Sequence, residues 1–122
     1  MRRTVLAFAV ATALTFVAVA AAAAPSGTYT TKVPSGQLKG TWTLKFSSGG
    51  AYTTSFKGGV IAKGKATVSG SKITFAHETG PGACTKAGRY SFKTSGKTLK
   101  LTRISDTCDG RPTVLARTFT KQ

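Results

Sequence analysis

Apolar and polar residues alternate with a period of two along most of this chain, and short Gly-, Ser- and Pro-rich breaks cut the alternation into strand-length pieces. The clearest pieces lie between Cys84 and Arg117. There Gly88, Tyr90 and Phe92 alternate with Arg89, Ser91 and Lys93, and Leu99 and Leu101 alternate with Lys100 and Thr102, with Thr94-Ser95-Gly96 as the turn. Upstream, a first strand runs from Gly27 to about Val33 and is broken by Pro34-Ser35-Gly36. Trp42, Leu44 and Phe46 then alternate with Thr41, Thr43 and Lys45, and beyond Ser47-Ser48-Gly49-Gly50 the same apolar face continues in Tyr52, Thr54 and Phe56. Ile61 to Val68 is interrupted by glycine, with Gly64, Ala66 and Val68 in phase, small residues that suit a close backbone approach. After the turn at Ser69-Gly70, the phase of Ile73 and Phe75 places His77 on the same face. Glu78 to Ala83 reads as loop, Ser105 to Pro112 as a turn, and Thr113 to Thr120 as the last strand.

Eight strands follow, most of them joined by short turns, and no segment has a helical period. The abundance of Thr, Ser and Gly also works against helix. Short connections favour antiparallel neighbours in an up-and-down meander. A sandwich would also use eight short strands, but the even spacing and the lack of a long crossover loop favour closure into an eight-stranded antiparallel up-and-down β-barrel with no substantial helix. A barrel set in an outer membrane needs an apolar outward face, whereas the face opposite Trp42, Leu44 and Phe46 carries Thr and Lys.

Arg2 and Arg3, the apolar Val5 to Val19 and the run Ala20 to Ala24 read as a secretory signal peptide over residues 1–24, cleaved near Ala24. A retained N-terminal anchor is the alternative, and cleavage would leave no transmembrane segment. Residues 25–122 then form the barrel domain of a secreted or cell-envelope protein. That domain holds 16 of the 18 basic residues against Glu78, Asp106 and Asp109, a net charge of +13. Such a charge implies weak, salt-sensitive attraction to anionic envelope polymers, and nothing in the pattern points to specific nucleic-acid binding. Cys84 and Cys108 are the only cysteines, and in an exported chain they are expected to pair as a disulfide. A zinc site would need more ligands than His77 can add, so neither metal nor cofactor is expected.

The ordered set Gly40-Thr41-Trp42, Gly88-x-Tyr90, Leu99-x-Leu101 and Asp106-x-Cys108-x-x-Arg111 resembles the short secreted bacterial lipocalin-like proteins of the calycin superfamily. The resemblance implies a barrel that binds a small apolar molecule in its interior, and an arginine, Arg111 or Arg117, packed structurally over Trp42. Lipocalins are longer, carry their tryptophan on the first strand and have a C-terminal helix, so a deep calyx does not carry over.

No catalytic constellation is expected. His77 and Glu78 are adjacent and would point to opposite faces of a strand. Asp106 and Asp109 sit where aspartates cap local N–H groups or pair with Arg111. Non-enzymatic binding is the leading expectation, with Trp42, Phe46, Tyr52, Phe56, Phe75, Tyr90 and Phe92 in the barrel interior and any pocket near the end holding Tyr52, Phe56 and Phe75. One alternative is a cationic envelope-associated protein whose barrel those rings fill. Another is an inhibitor of a secreted hydrolase, for which like-charge repulsion disfavours a cationic lysozyme as target.

Overall fold

The computed structural model describes residues 23–122, which form a closed barrel of eight antiparallel strands in sequence order, β1 to β8. The leader expected over residues 1–24 lies, apart from Ala23 and Ala24, outside the described residues. The strands are β1 Gly27–Val33, β2 Gly40–Phe46, β3 Ala51–Phe56, β4 Gly59–Ser69, β5 Lys72–Thr79, β6 Gly88–Ser95, β7 Thr98–Ser105 and β8 Thr118–Lys121. Each strand pairs with the next, and β8 closes on β1 through Tyr29 with Lys121 and Thr30 with Thr120. Closure satisfies the backbone groups that an open sheet would leave bare at its edges.

The alternating apolar face becomes the inside. Leu44, Ile73, Phe75, Tyr90, Leu99 and Phe119 are completely buried, and with Tyr29, Phe46, Tyr52, Phe92, Leu101 and Leu115 they make one continuous core along the barrel axis. The rings pack edge to face, Tyr52 on Phe75 at 4.9 Å and Phe75 on Tyr90 at 5.6 Å between centroids. A second, smaller cluster of Val33, Trp42 and Val114 caps one end, with Leu38, Phe56 and Ile61 against it.

The expected strand from Thr113 to Thr120 is shorter than the alternation indicated. Arg111–Leu115 forms a one-turn helix, α1, with Pro112 in its first turn, where proline's fixed φ fits and its missing N–H leaves no bond unmade. Val114 and Leu115 are buried from α1, so apolar residues that looked like strand positions instead plug the barrel end.

Candidate functional site

Two irregularities in the ladders decide which polar groups enter the barrel. In β5 the inward run Ile73, Phe75 does not continue to His77, which takes a positive φ of 55°, and the register against β4 shifts between Lys63 and Lys65. This bulge reverses the alternation, as an extra residue in one strand must. His77 is therefore exposed, which corrects the expectation from phase, and Glu78 turns in with only 3% of its side chain accessible. In β7 the pairing skips Ile104, which is left 46% exposed, and the chain returns inward at Asp106.

Arg111, the first residue of α1, lies between the two carboxylates. Its Nε donates to Asp106 Oδ2 at 2.7 Å and its Nη2 to Oδ1 at 2.9 Å, a bidentate fork. Its Nη1 donates to Glu78 Oε1 at 3.1 Å and its Nη2 also to the Lys86 carbonyl at 2.6 Å. The hydroxyl of Tyr52 donates to Glu78 Oε2 and that of Tyr90 to Asp106 Oδ2. Cys84 and Cys108, whose Cα atoms lie 6.1 Å apart across their disulfide, each donate a backbone N–H at 3.0 Å, the first to Glu78 and the second to Asp106. The covalent staple and the charge cluster are thus one unit. No buried side-chain polar atom among the described residues lacks a partner.

Two glycines make room for this unit. A Cβ on Gly88 would sit 2.5 Å from Asp106 Oδ2 and 2.8 Å from Arg111 Nη2, and one on Gly64 would sit 2.8 Å from the Tyr52 hydroxyl. Burial alone would raise the Asp106 carboxyl, but hydrogen bonds from Arg111, Tyr90 and the Cys108 N–H outweigh it and hold the group below its ordinary value. Burial likewise acts to lower the Arg111 guanidinium, and Asp106 and Glu78 more than offset it, so its charge is secured. Tyr52 and Tyr90 are pushed well above the ordinary phenol value, first by burial and then by the carboxylate each one bonds, which keeps both as protonated donors.

Above this cluster, at the end formed by the β1–β2, β3–β4, β5–β6 and β7–β8 connections, lies a cavity of about 180 Å³. Leu38, Trp42, Ile61, Ala62 and Val114 wall it, with Glu78 and Arg111 also lining it. Trp42 stacks on Phe56 at 4.4 Å and 12°, and its Nε1 donates to the Leu38 carbonyl at 2.8 Å. A second hollow of about 230 Å³ lies at the opposite end, between Pro25, Phe46, Val68 and Ile73.

The seven rings expected to share one interior site divide between these regions. Phe46, Tyr52, Phe75, Tyr90 and Phe92 belong to the axial core, while only Trp42 reaches the mouth cavity, backed by Phe56. Tyr52 lies in the core with its hydroxyl on Glu78, and neither it, Phe56 nor Phe75 lines the cavity, which lies at the Phe56 end of β3. Neither Arg111 nor Arg117 packs over Trp42, whose face is taken by Phe56. Arg111 is instead held by carboxylates, and Arg117 donates its Nε to the Thr113 carbonyl at 2.6 Å. The pairing of Asp106 with Arg111 and its capping of the Cys108 N–H stand as expected from the turn.

Glu78 is the member that alternation missed, because parity carried through His77 ends one residue too early. Its rarity was the usable signal: three acidic residues in a strongly basic domain are few enough to be placed one by one. Among the described residues no group of His, Cys, Asp and Glu is placed to hold a metal ion, and no helix is long and apolar enough to cross a membrane. Comparison of the chain with models of protein families, with curated proteins and with solved structures returned no match.

Proposed function

We propose that this is an exported, lipocalin-like barrel that binds one small apolar molecule without transforming it, and that the molecule sits in the mouth cavity rather than along the barrel axis. The observation that carries this reading is the division of the interior: a core of interlocked rings below and an apolar cavity of about 180 Å³ above, walled by Trp42, Ile61, Leu38 and Val114. A dry cavity of roughly 150 Å³ accepts benzene, whereas pockets for drug-sized ligands run from about 300 Å³. The occupant is then a single ring or a short branched chain, and a fatty acid or pigment is too large. A non-catalytic role is supported by the buried charge cluster, of which Glu78 and Arg111 line the cavity and Asp106 lies behind them, the third acid, Asp109, being exposed. Asp106 accepts four hydrogen bonds and Glu78 three, so the buried carboxylates are committed to holding Arg111.

Titration with single-ring hydrocarbons, phenols and short branched alcohols, read by Trp42 emission, tests the proposal. A saturable one-to-one change is expected, and Ala62→Leu, which projects extra carbon into the cavity, should abolish it while the strand circular dichroism stays. If the whole panel leaves Trp42 emission unchanged, the cavity is not a binding site and the reading fails.

A further inference from the structure

We infer that the outer face of β5, β6 and β7 is a docking surface for a linear anionic polysaccharide, separate from the mouth cavity. With Glu78 and Asp106 turned inward, Asp109 is the only acidic residue in the domain left exposed, and both salt bridges among the described residues belong to Arg111. The remaining basic side chains of the domain have no acidic partner, and all but the half-buried Arg117 are exposed. Some are spaced by neutral neighbours: Lys32 faces Thr41, and Lys45 lies between Thr28 and Thr53 in the ladder.

The β5–β7 face breaks that spacing. Lys93 stands directly opposite Lys100 across the β6–β7 ladder, the only cross-strand pair of two cations among the described residues. Lys72 is opposite Ser91, which makes it the diagonal neighbour of both Arg89 and Lys93. All four cations are exposed. Directly opposed residues have Cβ atoms about 5 Å apart and diagonal ones about 7–8 Å, so Arg89, Lys72, Lys93 and Lys100 form an unbroken oblique stripe over three strands. Like charges at that spacing repel, and no acid on the face relieves them. A partner that brings a row of negative charges would.

The chemistry of the stripe favours a glycan over other polyanions. Its neutral positions are Thr74, Ser91 and Thr102, short hydroxyls suited to sugar oxygens. Recognition of single-stranded nucleic acid relies on exposed aromatic platforms, and here the rings of β5 to β7, Phe75, Tyr90 and Phe92, all point inward and are buried. Adhesion to a lipid surface calls for apolar residues beside the cations. Among the described residues the exposed large apolar side chains are Val60, on β4, and Ile104, which bulges from β7 beside the Arg89 end of the stripe, so a single apolar residue accompanies its four cations.

The test uses the folded chain from residue 25 onward and polygalacturonate as the probe, with single-stranded DNA and anionic phosphatidylglycerol vesicles in parallel. Lys93→Gln/Lys100→Gln is compared with Lys32→Gln/Lys45→Gln, which removes the same charge from positions with neutral ladder partners. The stripe variant should bind polygalacturonate about tenfold more weakly at low salt, with a salt dependence shallower by about two counterions, while the control variant changes little. Equal losses in the two variants would reduce the effect to net charge and overturn the stripe. DNA or vesicles binding as tightly as polygalacturonate, with the same dependence on Lys93 and Lys100, would overturn the glycan assignment. Neither outcome touches the mouth cavity, whose occupancy is read by Trp42.

Discussion

Arg111 shows how one residue can organise a barrel end. It neutralises part of two buried carboxylates that, left alone, would be expensive to desolvate, and they in turn fix α1 over the core. The protonation states follow from this arrangement and give a pH profile with two limbs. Asp106 lies below its ordinary 3.8 in the folded state, so its contribution is complete above that value and is lost as pH falls through the folded value. Tyr52 and Tyr90 lie above their ordinary 10.0, so their contribution is complete below that value and is lost as pH climbs beyond it. Urea unfolding at a series of pH values should therefore show a plateau from about pH 5 to pH 9 with declines on both sides. Tyr90→Phe leaves Asp106 one donor short and should lower the plateau by roughly 1–3 kcal/mol while making the alkaline decline shallower. An alkaline limb unchanged in Tyr52→Phe/Tyr90→Phe would show that these phenols do not carry it.

At the scale of elements, the β5 bulge is what converts a barrel strand into part of a site. Its extra residue sends His77 outward and Glu78 inward, and it does so through a backbone conformation that L-residues adopt reluctantly. Glycine is free of that restriction, whereas a β-branched residue suffers most from it. His77→Gly is expected to leave stability unchanged or raise it by up to about 1 kcal/mol, and His77→Val to lower it by roughly 1–2 kcal/mol. Denaturation midpoints at constant slope measure both. If His77→Val is as stable as the parent chain, the bulge is not the strained feature described, and Glu78 owes its inward position to Arg111 alone.

For the whole molecule, closure rests on the shortest strand. β1 is paired with β2 along its full length, but its ladder with β8 holds only Tyr29 and Thr30, extended by the Thr31 hydroxyl donating to the Thr118 carbonyl and the Gln122 N–H to the Thr28 carbonyl, each at 2.9 Å. Phe119, fully buried, is the anchor that β8 drives into the core. A chain ending at Arg117 loses the anchor and the seam together, leaving β1 and β7 as bare edges. It should show no cooperative unfolding transition and should associate through those edges, which light scattering and thermal melts would report. A monomeric truncated chain with an unchanged melt would mean that the barrel does not depend on closure.

Much of this was legible in the sequence because it is local. Alternation within an uninterrupted strand assigned Trp42, Leu44, Phe46, Tyr90, Phe92, Leu99 and Leu101 to the inside, and Gly- and Ser-rich turns marked most of the strand boundaries. The pairing of Cys84 with Cys108 and of Asp106 with Arg111 followed from composition and nearness in the chain. What alternation could not carry was parity across a bulge, since a bulge is set by the partner strand and not by its own residues. So His77 and Glu78 exchanged sides, and the glycine-rich β4, with Gly64 under the Tyr52 hydroxyl, acquired its reason only from a neighbour across the ladder. The tertiary structure alone decided that Glu78, Asp106, Tyr52, Tyr90 and Arg111 meet. Each is drawn from a different element or connection, and only the burial of charge in one barrel end obliges them to find one another.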